Sequence, residues 1–172
     1  MYELTSIQPD ATGLRIGIAV SRYHREITTS MRNAAVDAFV RSGGDTKNLT
    51  VVAAAGTFEL TAICRALALM KTETGEPAHD AIVALGCVIT GQTTHDTYIA
   101  HSVIQGLTAI TVQTGVPIAF GVLTCQNLEQ ARARSVDALA AGGVNKGAEA
   151  MMAAIETART LKTLDAGVKE QR

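Results

Sequence analysis

The chain has 172 residues, of which 47% are hydrophobic, and its 15 Lys and Arg nearly balance its 16 Asp and Glu. This length and composition predict one compact domain with a sizeable core. We expect it to span 1–172, with an N-terminal arm at 1–13 and a C-terminal tail at 164–172, because neither end shows clear periodicity. The balanced charge provides no electrostatic basis for binding nucleic acid or an acidic membrane surface.

Cysteine usage and the length of the apolar runs indicate the compartment. Cys64, Cys87 and Cys125 are odd in number and widely spaced, which favours a reducing cytoplasm over a disulfide framework. The sequence has no Cys-x-x-Cys pair and no cluster of Cys and His, so no metal site is predicted. No apolar run approaches the ~20 residues needed to cross a bilayer, and the start of the chain does not resemble a signal peptide. We therefore expect a soluble, cytoplasmic protein.

Four short apolar runs predict strands, and each is followed by a helical pattern. The strands are expected at 14–20, 49–55, 81–89 and 116–123. The first helix carries Ile27 on its apolar face and should end at Gly43 and Gly44, because glycine readily ends helices. The next two helices are predicted at 59–71 and 95–114.

The last part of the chain predicts two more helices. Asn127 and Gln130, three residues apart, match a capping box for a helix that continues to Leu139. A fifth helix is expected from Asn145 onward. The expected irregular insertions are 73–79 and 137–144.

Strands that alternate with helices predict an α/β fold. We expect a three-layer sandwich in which helices cover both faces of a central four-stranded parallel sheet, with right-handed crossovers. The run 81–89 is apolar on both faces apart from Gly86, as a strand buried on both sides must be. In such folds ligands bind at the carboxyl ends of the strands, so the residues that follow each strand are the candidate site.

Chemically useful side chains follow three of the predicted strands. Tyr23 follows the first strand, Glu59 follows the second, and a small polar loop that ends at His95 follows the third. Gln92 and Thr93 lie in the loop at the entrance of the third predicted helix, where free backbone N–H groups and the helix dipole favour a phosphate. His95 can transfer protons near neutral pH. Tyr23 can stack on a flat heterocycle, and Glu59 can bind hydroxyl or amino groups.

Each of these residues also has a purely structural interpretation. Tyr23 can cap the core, Glu59 can be a solvated first-turn residue, and the loop can be an ordinary turn between strand and helix. The convergence of three strand exits at one edge favours a binding site. A phosphate also favours a nearby cation; Arg132, Arg134 and Lys146 are candidates, and spacing alone does not choose among them.

Four segments occur in a characteristic order along the chain. They are Gly56-Thr57-Phe58-Glu59-Leu60; the run from Leu85 to Ile89 with Gly91-Gln92-Thr93-Thr94-His95; Phe120-Gly121-Val122-Leu123-Thr124; and Asn145-Lys146-Gly147-Ala148-Glu149-Ala150. Together these segments resemble the 6,7-dimethyl-8-ribityllumazine synthase family, over roughly 14–155. The resemblance implies a flavodoxin-like fold.

The resemblance implies an enzyme, a transferase at the penultimate step of riboflavin biosynthesis. Members of this family join 5-amino-6-(D-ribitylamino)uracil to 3,4-dihydroxy-2-butanone 4-phosphate and release 6,7-dimethyl-8-(D-ribityl)lumazine, phosphate and water. The family uses no metal or organic cofactor, so none is expected, and the substrates are small molecules. Most of the catalysis would be the positioning of two reactants, which can supply roughly 7–11 kcal/mol in favourable cases.

The resemblance also implies roles for individual residues. His95 matches the family's proton-transferring histidine. The residues that match the pyrimidine and ribityl site are Tyr23, Thr57, Phe58, Glu59, Cys87, Val88, Ile89 and Phe120. Those that match the phosphate site are Gln92, Thr93, Arg134 and Lys146. Phe120 and Arg134 match residues that an adjacent subunit contributes, whereas Arg132 is left out of the site.

The chain departs from the family pattern at three positions and in the length of two segments, of which 71–78 is expected to be a surface loop. Thr61, Thr90 and Thr97 stand where the family commonly has proline, arginine and aspartate. The segment 135–144 is longer than in the compact family form, and in the family extra residues there accompany free pentamers instead of sixty-subunit shells. We therefore expect a homopentamer whose active sites are shared between adjacent subunits.

Three other functions are consistent with parts of the pattern. A flavin- or lumazine-binding carrier would keep Tyr23 and Phe120 but would not need His95 or Arg134. Riboflavin synthase, of a related fold, would release no phosphate, so the phosphate loop argues against it. A shell-forming structural protein with a vestigial site is disfavoured by the long segment 135–144.

Overall fold

Four parallel strands form one sheet in the computed structural model, which describes residues 9–136 and 144–169. The strands are β1 (Ile16–Ser21), β2 (Leu49–Ala54), β3 (Ala81–Ile89) and β4 (Ile118–Cys125). They lie in the order β2-β1-β3-β4, so β2 and β4 are the edge strands. The predicted four-stranded parallel sheet is thus confirmed.

Helices cover both faces of this sheet, which confirms the three-layer α/β sandwich. They are α1 (Arg25–Arg41), α2 (Leu60–Leu69), α3 (His95–Thr114), α4 (Leu128–Ala133) and α5 (Lys146–Lys169). α2 and α3 pack on one face, whereas α1, α4 and α5 pack on the other. The strand order and the two helical layers agree with the flavodoxin-like class.

Strand β3 is the centre of the core because both of its faces are covered. Its residues are buried from Ala81 as far as Val88. Leu85 packs in the cluster on the α1 and α5 side, and Ile82 packs in the cluster on the α2 and α3 side. Burying one such aliphatic side chain stabilises the fold by about 1.5–3 kcal/mol. The apolar character of this run therefore follows directly from its place in a parallel sheet.

Helix α1 ends where the sequence predicts. Gly43 adopts φ 85°, a left-handed conformation that glycine accepts without steric cost. Its N–H bonds to the carbonyl of Val40 at 3.0 Å, and the N–H of Gly44 bonds to the carbonyl of Phe39 at 3.0 Å. These two bonds form a Schellman motif, which satisfies the last free carbonyls of the helix.

Helix α4 is shorter than predicted. Asn127 caps it as expected, because its Oδ1 accepts a bond from the N–H of Gln130 at 2.9 Å. The helix ends at Ala133, and Ser135 then pairs with Asn145 in an antiparallel bridge. The Ser135 hydroxyl donates to a carbonyl of the last helical turn, an alternative to continued helical bonding. The prediction of a continuous helix as far as Leu139, which lies outside the described residues, was therefore wrong.

The chain ends and insertions are more ordered than the sequence suggests, where they are described. Ala11 of the predicted arm is fully buried, and its N–H bonds to the carbonyl of Ser42 at 2.7 Å. The predicted tail continues α5 as far as Lys169. In the insertion 73–79, His79 is buried and its Nδ1 lies 3.1 Å from the carbonyl oxygen of Leu67. Most of the second insertion, 137–143, lies outside the described residues, and the domain boundaries stay a prediction.

Over 9–136 and 144–169, no helix is both long enough and apolar enough to span a membrane.

Helices α1 and α5 approach each other closely at a glycine. A Cβ atom built on Gly147, near the start of α5, would overlap the backbone of Met31 in α1, with the Met31 Cα only 2.7 Å away. Backbone atoms cannot move aside as the end of a flexible side chain can. The contact between these two helices therefore requires glycine at this position.

We expect Gly147→Ala to lower the free energy of unfolding by about 1–3 kcal/mol, because the added methyl group overpacks the helix contact. The matched control is Gly167→Ala in the same helix, where an added Cβ would meet nothing within 4 Å. There alanine should stabilise the helix, by at most about 1 kcal/mol. Urea denaturation followed by circular dichroism at one protein concentration measures both changes. Equal effects of the two substitutions would contradict the argument.

Candidate functional site

A cavity opens at the carboxyl edge of the sheet, between β1 and β3. These strands are neighbours, yet the chain leaves β1 through α1 on one face and leaves β3 through α3 on the other. A crevice forms at such a point because the two connections diverge. The cavity has a volume of about 660 Å³, within the range of roughly 300–1,000 Å³ that is usual for small-molecule sites.

Most of the residues that the sequence singles out line this cavity. They are Tyr23, Thr57, Phe58, Glu59, Cys87, Val88, Ile89, Thr93 and His95. The segments that follow β1, β2 and β3 are thus brought together around one space. The individual roles of these residues stay predictions.

Four other predicted residues do not line the cavity, namely Gln92, Phe120, Arg134 and Lys146. Gln92 is exposed in the loop before α3. Phe120 lies on the edge strand β4, where 43% of its surface is exposed although it is a large apolar residue. An exposed aromatic ring on an edge strand is available to another chain.

The two predicted phosphate cations lie together, outside the cavity. The carbonyl of Arg134 accepts a bond from the N–H of Lys146 at 2.9 Å, which joins the end of α4 to the start of α5. The Lys146 ammonium lies 2.6 Å from a carboxylate oxygen of Glu149. Arg132, the candidate left out of the site, instead pairs with Glu26 of α1 at 3.1 Å.

Thr57 fixes the segment after β2 against the end of β3. Its side chain is buried, and its hydroxyl donates to the carbonyl of Cys87 at 3.2 Å. A Cβ atom on Gly86 would lie only 2.9 Å from the Thr57 methyl carbon, so the glycine in β3 leaves room for this contact. The next two residues, Phe58 and Glu59, both line the cavity, and the contact of Thr57 with β3 fixes the segment that carries them.

Cys87 forms part of the cavity wall and stays protonated. Burial raises the pKa of its thiol to about 12, and the neighbouring Cys125 adds to the rise. Only the thiolate is a strong nucleophile, so Cys87 is inert at neutral pH. Together with Val88 and Ile89 it supplies an apolar surface at the strand end.

His95 is the first residue of α3, is exposed and lines the cavity. The first N–H groups of a helix lack partners within the helix, and the helix dipole adds a partial positive charge there. The side chain of Thr90 donates to a carboxylate oxygen of Asp96 at 3.0 Å, which ties the start of α3 to the end of β3. This bond holds the loop that carries Thr93 next to His95.

The charges around the cavity are unbalanced in a single chain. Glu59 and Asp96 both line it, whereas no lysine or arginine among the described residues does so. A second cavity of about 590 Å³ lies between α3 and the end of β4, and it contains neither Tyr23, Glu59 nor His95. In the part of the chain that the structure describes, no three His, Cys, Asp or Glu side chains are grouped to hold a metal ion.

The sequence interpretation missed several residues that line the cavity. Tyr98, Ile99 and Ser102 lie on one face of α3 with His95. Their spacing of three, four and seven residues from His95 is the helical pattern for a shared face, so this signal was present in the sequence. His24 also lines the cavity, directly after Tyr23.

Comparison with known proteins identifies the family. Residues 13–162 match the sequence model of the family described as 6,7-dimethyl-8-ribityllumazine synthase. The chain is also 34% identical over 155 residues to the 6,7-dimethyl-8-ribityllumazine synthase of Lawsonia intracellularis. The aligned residues cover 90% of this chain and 92% of the relative. The chain therefore belongs to the 6,7-dimethyl-8-ribityllumazine synthase family.

Proposed function

We propose that this chain condenses 5-amino-6-(D-ribitylamino)uracil with 3,4-dihydroxy-2-butanone 4-phosphate to form 6,7-dimethyl-8-(D-ribityl)lumazine. Membership of the family makes the chain an enzyme, a transferase of riboflavin biosynthesis. The observation that carries the proposal is the joining of Tyr23, Glu59 and His95 around one cavity of about 660 Å³. That volume accommodates a substituted pyrimidine and a short phosphorylated ketone.

The pyrimidine would bind between the apolar strand end and an aromatic ring. Val88, Ile89 and Tyr23 all line the cavity, and Tyr23 is 66% exposed. Aromatic rings prefer to stack on flat heterocycles with an offset. Glu59 and the backbone at Thr57 and Phe58 would bind the ribityl hydroxyls, because a carboxylate accepts hydrogen bonds from hydroxyl groups.

The phosphate would lie at the start of α3. Gln92 and Thr93 offer polar groups there, and the helix N-terminus attracts an anion. No lysine or arginine among the described residues lines this cavity, so one chain alone provides no permanent cation for the phosphate. We propose that Arg134 of an adjacent subunit supplies the cation, with Lys146 near the same end of the substrate.

The proposed reaction begins with attack of the uracil 5-amino group on the ketone carbon. Loss of water gives an imine, and removal of the proton at the neighbouring carbon expels phosphate to leave an enol. The enol tautomerises to a second ketone, which the ribitylamino nitrogen attacks to close the ring with loss of a second water. His95 is the side chain proposed to transfer the protons, a role usually worth about 10²–10⁴-fold in rate.

The family implies an oligomer, and we propose a homopentamer instead of a sixty-subunit shell. The proposal depends on the length of the segment 135–144, which would lie where pentamers pack against one another in a shell. Phe120 on the exposed edge of β4 supports a subunit contact on that side of the sheet. A cytoplasmic location is part of the same proposal.

The function is tested directly by mixing the two purified substrates with the protein. We expect lumazine fluorescence and inorganic phosphate to rise together, one phosphate for each lumazine. A carrier would bind lumazine without forming it, and a riboflavin synthase would consume lumazine without releasing phosphate. Soluble, folded protein that forms no product above the uncatalysed rate would refute the proposal.

His95→Ala is expected to lower kcat by roughly 10²–10⁴-fold, because a positioned proton donor and acceptor is lost. Pyrimidine affinity should change little, since the stacking and apolar surfaces remain. The matched control is His101→Ala in the same helix, an exposed histidine outside this cavity. Steady-state rates and equilibrium titration with the pyrimidine measure both properties. A His95→Ala variant with full turnover would remove His95 from the mechanism.

Sharing of the site between subunits predicts complementation. His95→Ala and Arg134→Ala homo-oligomers should each be impaired, the second chiefly through a higher KM for the phosphate substrate. When the two variants are co-expressed, some interfaces combine an intact His95 with an intact Arg134 of the neighbour. In a randomly mixed ring with one type of contact, about a quarter of the sites should then be restored.

The control is the same pair of purified homo-oligomers mixed without subunit exchange, which should show only the summed residual activities. If each site were formed by one chain, co-expression would restore nothing above that sum. Sedimentation velocity of the same material measures the assembly size. A shell-sized particle would contradict the pentamer without affecting the complementation argument.

A further inference from the structure

His24 has an unusual backbone conformation at the entrance to α1. With φ 53° and ψ 51° it is left-handed, and it is the single non-glycine residue with positive φ in 9–136 and 144–169. Side chains other than glycine are disfavoured there, although Asn, Asp and His tolerate it best. Strained residues of this kind cluster at functional sites.

The turn itself depends on the backbone of His24 and not on its ring. The His24 carbonyl accepts bonds from the N–H groups of Ile27 at 2.9 Å and Thr28 at 3.1 Å, which starts the helix. Its side chain makes no capping hydrogen bond, although capping is the usual contribution of a polar residue at this position. Asparagine would therefore satisfy the turn equally well.

The imidazole instead contacts the proposed stacking residue. Its ring centroid lies 4.8 Å from that of Tyr23, with an angle of 79° between the ring planes. This edge-to-face arrangement is favourable for aromatic pairs. Both residues line the cavity, and Tyr23 is 66% exposed, so little else restricts the orientation of its ring.

We infer that His24 is a positioning residue, whose ring holds Tyr23 in the orientation that stacks on the pyrimidine. The inference rests on the proposed function, because it assigns the pyrimidine as the ligand of Tyr23. Loss of the His24 ring should weaken pyrimidine binding about three- to tenfold, the value of an edge-to-face pair. Turnover at saturating substrate should change much less, since a freely rotating ring still stacks once the pyrimidine is bound.

The test is a double-mutant cycle with His24→Asn and Tyr23→Leu. His24→Asn keeps a side chain that tolerates the left-handed conformation, and His24→Gly, which accepts it without cost, serves if the first variant fails to fold. We expect the KM for the pyrimidine to rise three- to tenfold in the Tyr23 protein and to stay unchanged in the Tyr23→Leu background. His101→Asn, the same chemical change outside the cavity, should have no effect. An unchanged KM, or an equal rise in both backgrounds, would overturn the inference.

A second measurement needs no substrate. With 3-fluorotyrosine in the full chain, the Tyr23 fluorine signal can be assigned by its loss in Tyr23→Phe. We expect His24→Asn to move the chemical shift of the Tyr23 fluorine toward its value in urea-unfolded protein, because the Tyr23 ring loses contact with the His24 ring. An unmoved signal would overturn the inference. If wild-type protein formed no lumazine, the proposed function would fail, whereas the fluorine signal would still decide whether His24 fixes the ring.

Discussion

All four strands run in the same direction, so every connection leaves the sheet at one edge and returns to it at the other. This constraint places a tyrosine, a carboxylate and a histidine from three distant parts of the chain around one cavity. The buried strand β3 holds the arrangement, because it pairs with β1 on one side and β4 on the other. Packing on both faces of β3 and the geometry of the site therefore have one physical origin.

Two glycines show how the core determines the site. At Gly86 the absence of a side chain lets Thr57 pack against β3 and bond to the carbonyl of Cys87. At Gly147 the same absence lets α5 contact the backbone of α1, the helix that follows Tyr23 and His24. A side chain at either position would shift a segment that carries cavity residues. Close packing is thus a condition for positioning the substrates as well as for stability.

The sequence predicts well those features that depend on residues close in the chain. The third strand is confirmed at both ends, 81–89, because burial on both faces leaves an unbroken apolar run. The predicted end of α4 was wrong because Ser135 forms a bridge with Asn145, ten residues further along the chain. The spacing of apolar residues within a helix does not reveal such a contact. His24 was missed because nothing in a Tyr-His pair indicates positive φ. Tyr98 and Ser102 were missed although their helical spacing from His95 was available.

Assembly would contribute a different interaction to each of the two substrates. Of the proposed pyrimidine contacts, Tyr23, Val88 and Ile89 line the cavity of a single chain, whereas Phe120 would come from a neighbour. The phosphate would lie at the start of α3 with Asp96, and no lysine or arginine among the described residues lines the cavity. The start of α3 attracts this charge of nearly −2, and a nearby cation would stabilise it further. In the proposed assembly a neighbouring subunit would therefore serve both substrates, with the charge of Arg134 at the phosphate and the exposed ring of Phe120 at the pyrimidine.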